Sequence, residues 1–380
     1  FTVSNLISGG GSLIKNNSHI LTLSGANTYS GGTTINAGTL SVAADNNLGA
    51  ATGTVTLNGG TLLVTGTFSS ARTITTQSAA GGIDVTGANA LTLTGALNGT
   101  VSLTKSGTGT LTFGPGLITG GHTGGLTLAG GTLRLGTDLA AGFGTIQTTG
   151  SVIDYAGGVT SAAPITINSN STQLQVLAGS ATQSGIISQT GGARPLEKIG
   201  AGTLILTGAN TYSGLTTISA GILQIGDGGT TGTLGLGGVA NNSVLVFNRS
   251  DGIIVGNAIS GSGTLIKRGG GNLSLTGTNT LGGPVLVEAG SLTFTTLASA
   301  GAATSNITIT NGAGLLLSLG GANVNFGTRQ LTLGGTGADG LGALRVTSGT
   351  ATFGGPVTLT GNTLLAADPG AMLRLMGTLT

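Results

Sequence analysis

One segment occurs four times along this chain, and fixed-spacing self-similarity limits the possible folds more than composition does. Its clearest form is ISGGGSLIKNNSHILTLSGANTYSGGTTINAGTL, residues 7–40. Repeat cores lie near residues 7–40, 97–133, 186–223 and 259–292. A lysine stands six positions before the first leucine of an L-x-L strand each time: Lys15 and Leu21, Lys105 and Leu111, Lys198 and Leu204, Lys267 and Leu273. Six positions after that leucine comes an asparagine in three copies, Asn27, Asn210 and Asn279. A glycine closes the unit at Gly38, Gly221 and Gly290; the second copy closes three positions later, at Gly131.

The sequence between and within the copies has period two. LTLSG at 21–25, TVTLNGGTLLV at 54–64, TLILTG at 203–208 and PVTLTG at 356–361 alternate apolar residues with Thr and Ser. That is the strand period, one face buried and one wet. No stretch holds a 3.6 period for more than two turns, and Glu occurs only at Glu197 and Glu288. Gly, Asn and Asp punctuate the strands and supply turns.

Short strands with glycine turns suit a sandwich, a barrel, a propeller or a parallel β-helix. The strand starts fall at Leu21, Leu111, Leu204 and Leu273, and the last step is much shorter than the other two. That is too uneven for propeller blades. It suits a solenoid in which whole rungs are added or dropped. The expectation is therefore all-β, a parallel β-helix (β-solenoid) of degenerate Gly/Thr/Asn-rich repeats, continuous over residues 1–380. At about 20 residues and ~4.8 Å per rung, roughly 19 rungs would make a rod on the order of 90 Å long. The pattern of residues 1–8 recurs before Lys105 and Lys267 and again at 373–380. The chain thus reads as a segment of a longer repetitive protein, or as a unit that stacks head to tail.

Composition closes several other classes. Only 6% of residues are charged and 38% are hydrophobic, which is the reverse of a disordered chain. No apolar run approaches the ~18 residues of a membrane span. Cysteine is absent, so no disulfide framework or thiolate metal site exists. Twelve basic and ten acidic residues are thinly spread and form no stripe for nucleic acid or anionic lipid.

The string S-L-x-K followed by G-x-L-x-L-x-G-A-N-T-Y-S-G-G-T-T-I-N-A-G-T-L resembles the autotransporter-associated β-strand repeat, also called the passenger-associated transport repeat. Residues 7–40 and 196–223 match best, then 264–292. The second copy departs from the pattern, with Gly-Leu-Ile at 116–118 in place of the Asn-Thr-Tyr turn, and the fourth has Leu281 where Tyr29 and Tyr212 stand. The resemblance implies a right-handed parallel β-helix. It also implies a passenger exported to the surface or exterior of a Gram-negative-type bacterium, often by an outer-membrane barrel.

Candidate chemistry is sparse. The four lysines could bind acidic glycans; the alternative places each at an exposed strand end, limiting edge pairing between rods. A glycosidase needs two carboxylates on one cleft. At one rung's spacing stand only Asp138 with Asp154 and Asp227 with Asp251, neither with a basic neighbour in phase, although Asp251 follows Arg249. Asp227, Asp251 and Asp339 sit beside Gly, as turn residues do. His19 and His122 lie in unrelated contexts and form no metal pair. Asn27 and Asn210 are expected to bond the backbone of their own turn, where Asn tolerates the left-handed conformation. Tyr29 and Tyr212 are expected to cap that turn against the next rung. Rows of Thr could bind ice or glycans, or simply suit a wet strand face.

The reading is an extracellular structural or adhesive β-helix forming a stalk, coat or filament, without catalytic residues, metal or cofactor. Its expected partners are further copies of itself, surface glycans or other cells. A β-helix carbohydrate-active enzyme and a passive glycan-binding module stay open as alternatives.

Overall fold

Alternation of Leu, Ile and Val with Thr and Ser, broken every few residues by Gly, leaves strands as the only regular structure this chain can build. A computed structural model describes residues 1–169, 172–303 and 305–380. It is all-β: short parallel strands stack turn upon turn, and the only helical pieces among the described residues are three single 3₁₀ turns. The chain divides into two compact units, Phe1–Leu196 and Glu197–Thr380. Together they hold about 17 turns, fewer than the expected 19. The shortfall arises because most turns are longer than the rung length assumed from the sequence. Leu40 pairs with Leu62, and Ile83 with Lys105, in successive turns.

In the first unit most turns contribute three strands, one to each of three sides, while the first turns contribute two. One sheet climbs through Ile20–Leu23, Thr39–Val42, Thr61–Val64, Gly81–Val85 and Leu103–Ser106. A second climbs through Phe68–Ser70, Ala90–Leu93, Thr110–Phe113, Thr132–Leu135 and Val152–Tyr155. The third runs from Leu13–Lys15 through Thr33–Ile35, Val55–Leu57, Ile74–Thr76 and Ala96–Gly99 to Ile118–His122. In the second unit, one sheet climbs through Thr203–Leu206, Ile222–Ile225, Val244–Asn248 and Thr264–Arg268. Its neighbour climbs through Asn272–Leu275, Gly290–Phe294, Ala313–Asn325 and Leu344–Phe353.

Parallel pairing in register puts like on like over most of the rungs. Leu23, Val42, Val64 and Val85 stack in one interior column. Leu204, Leu223, Leu245, Leu265, Val285, Ile307 and Leu331 stack in another. All are buried. Each contributes about 1.5–3 kcal/mol of transfer free energy, so stability accumulates rung by rung rather than in one central core. Aromatic pairs fill wider places: Phe326 and Phe353 stack with centroids 4.8 Å apart, and Phe113 meets Phe143 edge-on at 5.8 Å.

The copies do not advance by whole rungs. The L-x-L strand of copy one, Ile20–Leu23, lies four turns below Leu103–Ser106 in the same sheet, and Thr110–Phe113 of copy two lies on the next side. In the second unit, Thr203–Leu206 of copy three lies three turns below Thr264–Arg268, and Asn272–Leu275 of copy four again lies on the next side. The uneven steps from Leu21 to Leu111 and from Leu204 to Leu273 are thus four turns plus one side and three turns plus one side. The repeated object is a corner between two sides, and it moves one side round within each unit.

Candidate functional site

The corner is built from the residues that recur at fixed spacing, and their polar atoms serve the backbone. Lys105 occupies an interior column, between Ile83 and Leu128. Lys267 stands in another, between Phe247 and Val287. Lys105, Lys198 and Lys267 are fully buried and Lys15 nearly so, which overturns the expectation of exposed strand-end lysines. The cause lies in the hydrogen bonds. Lys105 Nζ donates to the carbonyls of Ser106, Gly107 and Gly130 at 2.6, 3.0 and 3.2 Å. Lys198 Nζ does the same to Ile199, Gly200 and Ala220, and Lys267 Nζ to Arg268, Gly269 and Ala289. Lys15 reaches Asn17 and Ala37. An ammonium carries three donors, so three carbonyls of two adjacent turns satisfy it. Burial pulls Lys105, Lys198 and Lys267 down to about 8 from 10.5, Asp84 opposing this at Lys105.

The closing glycines sit against these same carbonyls. Gly38, Gly221 and Gly290 all have φ of +65°, and a Cβ on Gly221 would stand 2.4 Å from the Gly200 oxygen that Lys198 caps. No other residue type fits both the backbone angle and the approach.

The asparagines staple neighbouring turns. Asn27 accepts from the Ile7 amide of the turn before at 2.8 Å and donates to the Asn47 carbonyl of the turn after at 2.7 Å. Asn279 does likewise with Ile259 and Ser299, and Asn210 donates to Thr233. This corrects the expected own-turn bonding. All left-handed residues among those described are glycines, so Asn has no such role here. Tyr29 and Tyr212 point inward, and their hydroxyls pair with Thr33 and Thr216 at 2.7 and 2.9 Å. Gly49 and Gly235 of the following turns lie against the two rings, where a Cβ would collide. Burial raises both phenols above their ordinary pKa. Leu281 fills the same place in copy four.

Two arginines outside the repeated segment close these corners from the next turn. Arg72 donates to the carbonyls of Asp45, Leu48, Gly49, Ala50 and Gly53 and pairs with the Asp45 carboxylate at 3.0 Å. Arg329 donates to Phe326, Ala300 and Gly301, and burial pulls it down to about 10. Sequence reasoning missed both, although a signal was present: each stands two positions before an inward-facing residue, Ile74 and Leu331. The repeated motif ends at the closing glycine, short of them.

A family profile described as passenger-associated-transport-repeat matches residues 13–42, 103–135, 196–225 and 265–294, the four corners just described. The four segments are passenger-associated transport repeats. Over 86 residues the chain is 46% identical to the adhesin BmaC autotransporter of Brucella suis biovar 1 (strain 1330). That stretch covers 22% of this chain and 2% of the relative. No solved structure matches the chain.

Several ionisable groups besides the repeated lysines are engaged by the structure as well. Arg134 pairs in register with Asp154, which corrects the expectation of no basic neighbour in phase. Burial raises the Asp154 pKa and Arg134 opposes it. Asp138 accepts from the Thr160 amide at 2.7 Å. Asp251 accepts from two of the three Arg249 guanidinium nitrogens, at 2.8 and 2.7 Å, and that hydrogen bonding lowers its pKa. Asp227 and Asp339 bond amides two positions on, as turn residues do. His122 is buried against Phe143 and bonds the Gly125 carbonyl at 2.8 Å. Among the described residues no three His, Cys, Asp or Glu gather as a metal site. No helix there is long and apolar enough to cross a membrane. Outward Thr rows are short: Thr34, Thr56 and Thr75 align, whereas on the neighbouring sheet Leu63 and Asp84 interrupt one row and Gln147 ends another.

Proposed function

We propose that this protein is an extracellular or cell-surface passenger segment of a Gram-negative bacterium, a structural and adhesive β-solenoid without catalysis. One observation carries the reading most. The polar residues that recur with the transport repeats, Lys, Asn and Tyr, are turned inward and engaged by backbone or by Thr, which is the economy of a scaffold. The adhesin named above supports the adhesive part. Registered parallel rungs can be continued by any further turn, so a stalk, a coat or a filament of stacked copies are the forms such a scaffold would take. Surface glycans or other cells are its expected contacts.

The test combines microscopy and binding. Negative-stain images of the natural protein should show rods or fibres of uniform width. Bacteria lacking the protein should lose attachment to a surface that the purified protein coats. Hydrolysis of a polysaccharide, abolished by Asp154→Asn or Asp251→Asn with melting unchanged, would overturn the non-catalytic reading.

A further inference from the structure

The corner after the third repeat differs from those after the first and fourth. The asparagine staple aligns them: Asn27, Asn279 and Asn210 donate to the carbonyls of Asn47, Ser299 and Thr233. The next residues, Leu48, Ala300 and Leu234, are therefore equivalent, and so are Gly49, Gly301 and Gly235. One turn further on, on the same side and two positions before the inward residue, stand Arg72, Arg329 and, at the third repeat, Asn257 before Ile259. The two arginines place guanidinium N–H groups on the Leu48 and Gly49 carbonyls and on those of Ala300 and Gly301. Asn257 is shorter and reaches only Gly235 and Gly237, at 2.8 and 2.5 Å.

A longer loop accompanies the substitution. The segment 226–233 separates Ile225 from Leu234, whereas the shorter 43–47 separates Val42 from Leu48 and 295–299 separates Phe294 from Ala300. A cleft of about 700 Å³ opens at this corner. Leu236 and Ile254 line it with 72% and 77% of their surface exposed, above buried Phe247. Its one charged lining residue, Arg249, is neutralised by Asp251 and turned onto the Gly232 carbonyl at 2.6 Å.

We propose that this cleft receives an arginine side chain of a partner polypeptide. The guanidinium would take the Leu234 carbonyl, as Arg72 and Arg329 take its equivalents, and the aliphatic stem would lie between Leu236 and Ile254. The Arg329 contacts are all carbonyls, so this kind of corner holds a guanidinium without a carboxylate. A planar fork of donors fits a carbonyl cluster better than the single point of a lysine ammonium. The inference goes beyond the proposed scaffold role and does not depend on adhesion.

The experiment titrates the full chain with N-acetyl-arginine methylamide, followed by amide chemical shifts, with the lysine and norleucine analogues as controls. Shifts confined to residues 232–257 and saturating with the arginine compound alone are expected. Asn257→Arg supplies the guanidinium from within the chain and should weaken that binding about tenfold or more while keeping or raising the melting temperature. Leu236→Ser, on the exposed rim, should weaken it without affecting folding, and serves if the first variant misfolds. Equal binding of the lysine or norleucine analogue, binding indifferent to both substitutions, or no binding would each overturn the proposal.

Discussion

The corners after the first and third transport repeats start from nearly the same sequence, GANTYSGGTTINAGTL against GANTYSGLTTISAGIL, and end differently. The first is sealed by the Arg72 guanidinium on five carbonyls; the third carries Asn257 and an open cleft. The repeat itself therefore does not decide whether a corner is solid. That is decided one turn later, by a residue outside the repeat, together with the length of the loop at the corner.

The largest loss is expected at the buried arginine that seals a corner. Arg329→Ala leaves three buried carbonyls without their donor and should cost about 3 kcal/mol or more, read as lost amide-exchange protection around residues 300–330. A loss no larger than that of Asn257→Ala would show that plugged and open corners are energetically alike. Next comes Lys105→Met, which exposes no new charge but strips three carbonyls, at about 2 kcal/mol. It also carries a pH signature. The folded lysines at about 8 release protons before the unfolded chain does near 10.5. The unfolded state then binds more protons, so the contribution of these lysines to stability rises from pH 8 to 10.5 and is constant below. The urea midpoint should follow that rise, and Lys105→Met should reduce it.

Asn27→Ala, removing two inter-turn bonds, should cost about 1–2 kcal/mol and leave any surface binding unchanged. A ligand whose affinity depends on Asn27 while melting stays constant would sink the stapling role. The smallest effect is expected for Asn257→Ala, about 1 kcal/mol, because the cleft already leaves that corner partly solvated. Measured in one denaturation series, these four variants rank the parts of the corner.

Much of the fold was legible because period-two alternation and glycine spacing act locally, strand by strand. Lys105 shows where legibility stops. Its spacing marked it as part of the repeat, yet a lysine in a Thr-rich chain reads as exposed. Only the stacking of Gly107 and Gly130 beside it creates the carbonyl trio that lets it be buried. Arg72 and Asp45 are far apart in sequence and meet through a loop whose length no periodicity records. Asp154 looked unpaired for the same reason. Its partner Arg134 is visible once the register is known, and register between turns of unequal length is set by loops.

The one-side advance between copies has a consequence for how such chains grow. Duplicating a stretch that ends at a corner preserves the joins, since the sides are all built from parallel strands paired with the turn before. Extension need not come in complete laps. A duplicated tract then presents its distinctive bend on a fresh azimuth, so a lengthening scaffold of this kind can distribute rare features such as the open cleft around its circumference instead of lining them up along one edge.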